Sequence, residues 1–142
     1  MRLQALTLGA ALAGLGISIY LTVVHYSTIP LACPANAVIN CEQVLSSPYG
    51  VIGGSSVPTS AAGIAWFAVS ALLAAGLLAG LTQMARWQLV WSAVGLVTVL
   101  FLVYIEIVQL GAVCIWCSAA HVLVLLIFLV ALARANAVRV RS

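Results

Sequence analysis

The chain has 142 residues, of which 65% are hydrophobic and only 5% are charged, and its formal net charge at pH 7 is +3. Soluble domains carry about 25% charged residues, so this composition excludes a globule that faces water on all sides. Five arginines against two glutamates are too few to form a nucleic-acid-binding surface, and their excess reports membrane topology instead.

Four apolar stretches are long enough to cross a bilayer, because one span needs about 20 apolar residues. We predict one domain over 1–142. It has four transmembrane helices, at 4–25, 61–83, 87–110 and 113–133, and a C-terminal tail at 134–142. The first connection, residues 26–60, is a loop because it holds all four prolines and the run Gly53-Gly54-Ser55-Ser56. Within it we expect a short interfacial helix over 37–47. The predicted fold class is an all-α integral membrane protein, a four-helix bundle with a long loop between helices 1 and 2.

The arginines predict the orientation of this bundle. With four spans, both termini and the turn between spans 2 and 3 share one side, and all five arginines fall there: Arg2, Arg86, Arg134, Arg139 and Arg141. The positive-inside rule then gives N-in and C-in, with the long loop outside the cytoplasm. A signal peptide is the alternative for the first span, but about 22 apolar residues exceed the usual apolar region of such a peptide.

The four cysteines fall on the predicted outer side, with Cys33 and Cys41 in the long loop and Cys114 and Cys117 at the entrance to the last span. Disulfides persist in that oxidising compartment, so two structural disulfides are one interpretation. A zinc site is disfavoured because its ligands usually come in two closely spaced pairs, and we expect no metal. A Cys-x-x-Cys pair that enters a helix favours redox chemistry, because its small ring is easily reduced.

The position of the second pair indicates what it reacts with. Cys117 lies in the first turn of the last helix, where free N–H groups favour a thiolate. At membrane depth a lipid-soluble quinone is the natural two-electron acceptor, and the chain has no glycine-rich fingerprint for nicotinamide or flavin. The loop pair lies where a water-soluble protein can reach it. We therefore predict a relay from a soluble dithiol through both cysteine pairs to a quinone.

At this point the sequence resembles the vitamin K epoxide reductase family, in its small prokaryotic form without a fused thioredoxin domain. The resemblance covers about residues 8–133. It rests on two loop cysteines spaced by eight, and on the motifs Val44-Leu45-Ser46-Ser47, Pro58-Thr59-Ser60 with Gly63, and Cys114-x-x-Cys117. It implies a four-helix bundle that surrounds a quinone and is capped by the long loop.

The resemblance also implies a role for each cysteine. Cys117 is expected to react with the quinone, and Cys114 to be its exchange partner. Cys41 is expected to form a transient disulfide with Cys114, and Cys33 to meet a soluble thioredoxin-fold protein of the DsbA type. Many prokaryotic relatives carry this partner fused after the last span. Because the sequence ends at Ser142, we expect a separate periplasmic protein.

Three further positions are candidates for contact with the quinone. His121 follows Cys117 by four residues, so both lie on one helix face, and its imidazole can bond a quinone carbonyl or accept a proton. The alternative is a histidine bonded to a neighbouring group of the protein. Thr59 and Ser60 stand at the start of span 2, where they either contact the quinone or cap the helix.

Glu106 is the remaining candidate, about 12 Å before Cys114 along a helix. It either relays protons to the quinone or lines the bundle together with Gln109, which is expected on the same face. An ionisable group inside a span is costly and usually serves a function.

Together these features predict a thiol:quinone oxidoreductase of a prokaryotic cytoplasmic membrane that supports disulfide-bond formation. The acceptor is ubiquinone, menaquinone or a vitamin K-type quinone, and the partners are the bilayer and a soluble disulfide donor, without nucleic acid. Two alternatives stay open. One is reduction of vitamin K quinone or its epoxide, and the other is a non-catalytic membrane protein with structural disulfides.

Overall fold

A computed structural model describes residues 2–27, 29–34 and 36–141, with side chains to residue 137. The side chains of Arg139 and Arg141, which contribute to the predicted orientation, lie outside the described residues.

Helices account for most of the described chain, and the last turns of one span are π-helical. The elements are α1 (Arg2–Tyr26), α2 (Cys41–Leu45), α3 (Thr59–Leu78), α4 (Met84–Tyr104), its π-helical continuation (Ile105–Leu110) and α5 (Ile115–Arg141). Within the described residues, four helices are long and apolar enough to cross a membrane: α1, α3, α4 with its continuation, and α5. The predicted all-α membrane fold with four spans is therefore confirmed.

The four long helices pack in a closed ring. Helix α1 contacts α3 and α5, and α4 contacts the same two helices from the other side. The ring of Phe67 on α3 occupies the space where a Cβ of Gly14 on α1 would lie. Small residues permit this close approach, which matters because lipid supplies no hydrophobic force between helices. The buried core around Phe67 also contains Ala10, Ala11, Val124 and Ile127.

Two long helices end at different residues from those predicted. Helix α3 ends at Leu78 and not at 83, because Gly80 has φ +89° and leads the chain out of the helix. Helix α5 continues through much of the predicted tail to Arg141. The tail contains no glycine or proline that would stop it. The division into spans and a cytoplasmic tail stays a prediction.

The short loop helix is also shorter than predicted, since α2 covers only Cys41–Leu45 within the predicted 37–47. Its start is set by Asn40, whose Oδ1 accepts a hydrogen bond from the backbone N–H of Gln43 at 3.0 Å. An asparagine in this position satisfies an N–H group that the first helical turn leaves free.

Replacing Gly14 with alanine is expected to destabilise the bundle, because the added Cβ collides with the ring of Phe67. Overpacking costs about 1–3 kcal/mol, which outweighs the gain of about 1 kcal/mol in helix propensity. Gly16→Ala is the matched control on the same helix, because no described atom beyond its chain neighbours and the backbone of its own helix turn lies within 4 Å of the added Cβ. Thermal unfolding in detergent, followed by circular dichroism, measures both variants. Equal stability of the two would contradict the packing.

Candidate active site

The long loop is held on the bundle by backbone pairing with the segment between α4 and α5. Ile39 and Val113 form a parallel bridge. The N–H of Val113 donates to the carbonyl of Val38 at 2.9 Å, and the N–H of Asn40 donates to the carbonyl of Val113 at 3.1 Å. This pairing joins the two segments that carry the cysteines.

The four cysteines lie in one cluster at this junction. Cys33 and Cys41 form a disulfide, whereas Cys114 and Cys117 are free thiols. Cys41 and Cys114 are 1% and 0% exposed and share one buried apolar cluster, against which Cys33 and Cys117 pack. The two cysteines for which the resemblance implies exchange are therefore neighbours in a water-excluded cluster.

The first turn of α5 supplies a backbone hydrogen bond to the sulfur of Cys114. Cys114 immediately precedes Ile115, the first residue of α5. Its Sγ accepts a hydrogen bond from the N–H of Cys117 at 3.5 Å. The pKa of Cys114 is lowered mainly by a hydrogen bond from the Cys117 side chain, and this backbone hydrogen bond lowers it by less. The sequence predicts a stabilised thiolate on Cys117 in this turn, whereas the hydrogen bonds in the structure lower the pKa of Cys114.

Glu106 reaches the same junction from the π-helical continuation of α4. It is 6% exposed, and its Oε2 accepts a hydrogen bond from the backbone N–H of Cys114 at 3.3 Å. The helix ends at Gly111, whose φ of +60° suits glycine far better than other residues. The predicted shared face of Glu106 and Gln109 is wrong: Gln109 is exposed, because a π-helix has more residues per turn than an α-helix.

An apolar cavity of about 380 Å³ lies between the helices next to this junction. Its volume is within the range of about 300–1,000 Å³ typical of small-molecule sites. It is lined by the five residues that the sequence proposes for the quinone: Cys117, His121, Thr59, Ser60 and Glu106. The fold thus collects these residues from three helices at one cavity, although their contact with a quinone stays a prediction.

Thr59 and Ser60 line the cavity without capping α3, so the expectation of a cap is wrong. The helix begins at Thr59 itself, after Pro58. The Thr59 hydroxyl donates to the carbonyl of Tyr49 at 2.9 Å, which ties α3 to the loop. The Ser60 and Thr22 hydroxyls share a hydrogen bond of 2.8 Å, which ties α3 to α1.

Two tryptophans that the sequence does not single out form a wall of the cavity. The indole N–H of Trp66 donates to the carbonyl of Trp91 at 3.4 Å, and that of Trp91 donates to the carbonyl of Trp66 at 3.1 Å. Their rings are stacked, with centroids 6.4 Å apart. Gly95 makes room for Trp66, since a Cβ there would collide with the indole. The pair joins two helices, so no local sequence pattern reveals it.

A second cleft, of about 540 Å³, opens beside the loop disulfide. Cys33 and Cys41 line it together with Glu42, and His25 lines both this cleft and the apolar cavity. The loop disulfide therefore borders one cavity, and Cys117 borders the other.

Trp116, between the two cysteines of the second pair, fastens the loop next to Cys33. Its indole N–H donates to the carbonyl of Ala32 at 2.9 Å. Its ring lies 5.1 Å from that of Tyr20, whose hydroxyl accepts from the N–H of Ala32 at 3.1 Å. The contact to Ala32 is long-range and leaves no local signature.

These observations define the class of protein: a four-span membrane protein with two cysteine pairs at one junction, between the cleft beside the loop disulfide and an apolar cavity. Residues 5–132 match the family model described as the vitamin K epoxide reductase family. The match covers nearly the whole chain, so the chain belongs to this family, and the resemblance seen in the sequence is confirmed. No curated protein matches the chain individually.

Membership makes the chain a membrane oxidoreductase of a family that is linked to quinones in general. Among the described residues, no group of three or more histidine, cysteine or acidic side chains is placed to hold a metal ion.

We expect Trp116→Phe to speed the reduction of the Cys33–Cys41 disulfide. The variant keeps an aromatic ring but loses the hydrogen bond to Ala32. A hydrogen bond contributes about 1 kcal/mol, so the loop should open about fivefold more often. Reduction by dithiothreitol, followed by thiol alkylation, measures the rate. Trp87→Phe is the control because Trp87 is 64% exposed, and equal rates in the two variants would show that Trp116 does not hold the loop.

Proposed function

We propose that the protein is a thiol:quinone oxidoreductase that reoxidises a soluble thioredoxin-fold disulfide donor and so supports disulfide-bond formation. The observation that carries the proposal is the position of the four cysteines. They form one cluster, with the loop disulfide bordering the outer cleft and Cys117 bordering the apolar cavity. Two electrons that enter at the cleft therefore need to cross only this cluster to reach the cavity.

The first half of the cycle is thiol–disulfide exchange at the cleft. A thiolate of the partner attacks the Cys33–Cys41 disulfide at Cys33, which is half-buried and borders the cleft. The second partner thiol resolves the mixed disulfide. The partner leaves oxidised, and Cys33 and Cys41 are left as thiols.

The second half passes these electrons from the outer pair, Cys33 and Cys41, to the inner pair, Cys114 and Cys117. The Cys41 thiolate attacks Cys114 of a Cys114–Cys117 disulfide and releases the Cys117 thiolate. Cys33 then attacks Cys41, which restores the loop disulfide and frees Cys114. The result is an oxidised outer pair and a reduced inner pair, the same pairing that the structure carries.

The apolar cavity is the proposed quinone site, where the quinone is a substrate that accepts two electrons from Cys114 and Cys117. A quinone headgroup needs an apolar space with few polar contacts, and the cavity combines apolar walls with a few polar groups. His121, Thr59, Ser60 and Glu106 would hold the carbonyl oxygens. This chemistry suits ubiquinone, menaquinone and vitamin K-type quinones alike.

The proposed location is a prokaryotic cytoplasmic membrane, with both termini inside and the cysteines outside. Arg2 begins α1, Arg86 lies in the first turn of α4, and Arg134 lies in the second half of α5. All three belong to the end of the bundle opposite the cysteine cluster. This distribution of positive charge supports the orientation.

Single cysteine variants test the relay, because the two pairs have different tasks. With purified protein in detergent and a reduced periplasmic dithiol protein, Cys117→Ser should lower quinol formation to the background rate. Cys33→Ser should also stop turnover with the partner. It should still bind quinone, and the quinone should still oxidise its inner pair after that pair has been reduced chemically. Quinone absorbance reports both reactions.

Two results would contradict the proposal. Folded wild-type protein that reduces none of several quinones would exclude the thiol:quinone activity. Equal loss of folded protein in Cys33→Ser and Cys117→Ser, with no quinone binding, would indicate structural disulfides instead.

A further inference from the structure

Glu106 links the inner cysteine pair to the apolar cavity. The chain has two acidic residues, and the other, Glu42, is exposed on α2. Glu106 is 6% exposed, accepts a hydrogen bond from the Cys114 N–H, and lines the cavity together with Cys117. Burying a carboxyl group is costly, so a position that joins the inner cysteine pair to the apolar cavity calls for a function.

Among the residues that the structure describes, the groups around Glu106 give it no fixed positive partner. The titratable side chains that line the cavity with it come from α1, the loop and α5: His25, Tyr49, Cys117 and His121. Helix α3 contributes hydroxyl groups, and no arginine is among the described residues that line the cavity. A carboxyl group without a salt bridge in such a place can take up and release a proton during the reaction.

The inner pair creates a need for this proton transfer. A reduced pair carries two protons, and reduction of a quinone to a quinol consumes two protons with two electrons. The Cys117 thiol is hydrogen-bonded to the Cys114 sulfur and favours a thiolate there. One proton then stays with the two sulfurs, and the second needs an acceptor beside Cys114.

Building on the proposed quinone reduction, we propose that Glu106 is the proton-carrying residue of that step. Glu106 takes the proton that Cys114 releases and delivers it to one quinone oxygen, while Cys117 delivers its own proton to the other. In the same step the Cys114–Cys117 S–S bond forms and two electrons pass to the quinone, which leaves as quinol. Glu106 is left as a carboxylate and takes up a proton again when the inner pair is next reduced.

The hydrogen bond from the Cys114 N–H allows proton transfer by Glu106 to be tested separately from the local geometry. An amide oxygen can accept the same N–H bond as the Glu106 carboxylate, so Glu106→Gln keeps the local geometry but cannot carry a proton. Glu106→Asp keeps a proton-carrying group on a shorter side chain. Gln109→Ala is the matched control on the same π-helical segment, because Gln109 is exposed.

The experiment follows one turnover of full-length protein in detergent, with the inner pair reduced beforehand and a short-chain ubiquinone as the probe. Glu106→Gln is expected to slow quinol formation about 100-fold, a typical effect of losing a general acid or base. In Glu106→Gln, the rate at which dithiothreitol reduces the Cys33–Cys41 disulfide should stay within about twofold of the wild-type rate, because that reaction does not use Glu106. Glu106→Asp should keep a pH-dependent rate that Glu106→Gln has lost, and Gln109→Ala should behave as wild type.

Infrared difference spectra supply a second measurement that needs no quinone. Reduction of the inner pair in wild type should produce a carboxyl protonation band that Glu106→Gln lacks. If Glu106→Gln does not fold, this measurement on the wild type decides, and the absence of the band overturns the inference.

The outcomes separate the two proposals. A wild type that forms no quinol contradicts the proposed function itself. A wild type that forms quinol while Glu106→Gln forms it at the same rate overturns only the role of Glu106. Equal slowing of the quinone step and the outer exchange, or a wild-type pH profile in Glu106→Gln, assigns Glu106 to structure and also overturns the inference.

Discussion

The pairing of the long loop with Val113 is the interaction on which the rest of the site depends. Protein at the edge of a bilayer must satisfy its own backbone groups, and the chain leaves the helix at Gly111. Residues 38–40 of the loop supply the missing partners through hydrogen bonds of 2.9 and 3.1 Å. The same pairing brings Cys41 into the cluster that buries Cys114. A need for backbone hydrogen bonds thus sets the geometry between two cysteine pairs that are far apart in sequence.

The proposed exchange requires this arrangement to be stable and reversible at once. In-line attack of one sulfur on another requires small movements of the loop. Besides the backbone pairing, several single hydrogen bonds hold the loop, among them those from Trp116 to Ala32 and from the Gln43 amide to the carbonyl of Leu110. Each contributes about 1 kcal/mol, so releasing one of them is frequent on the time scale of turnover, whereas releasing all is rare. The loop can therefore shift locally while the cluster stays closed to water.

The sequence predicts what depends on local pattern and misses what depends on contacts between distant residues. Four spans and the Cys-x-x-Cys pair are local, and the apolar lengths and the spacing reveal them. His121 and Cys117 line one cavity as their spacing on one helix predicts. The separation of Glu106 from Gln109 was not predictable, because the apolar sequence around them gives no sign of π-helical winding. The walls formed by Trp66 and Trp91, and the fastening of Ala32 by Trp116, join residues from different elements.

The proton balance of the proposed cycle explains why the reactive groups need to occupy only one end of the bundle. A dithiol delivers two protons together with its two electrons, so quinol forms without proton uptake from the opposite side of the membrane. No proton path through the other half of the bundle is then required, and that half can be closed by packing. Phe67 packs against Gly14 in the middle of the bundle, where it lines the apolar cavity and adjoins a buried core that includes Ala10, Ala11 and Ile127. The tight contact of α1 with α3 thus serves stability, while the loosely held loop serves exchange.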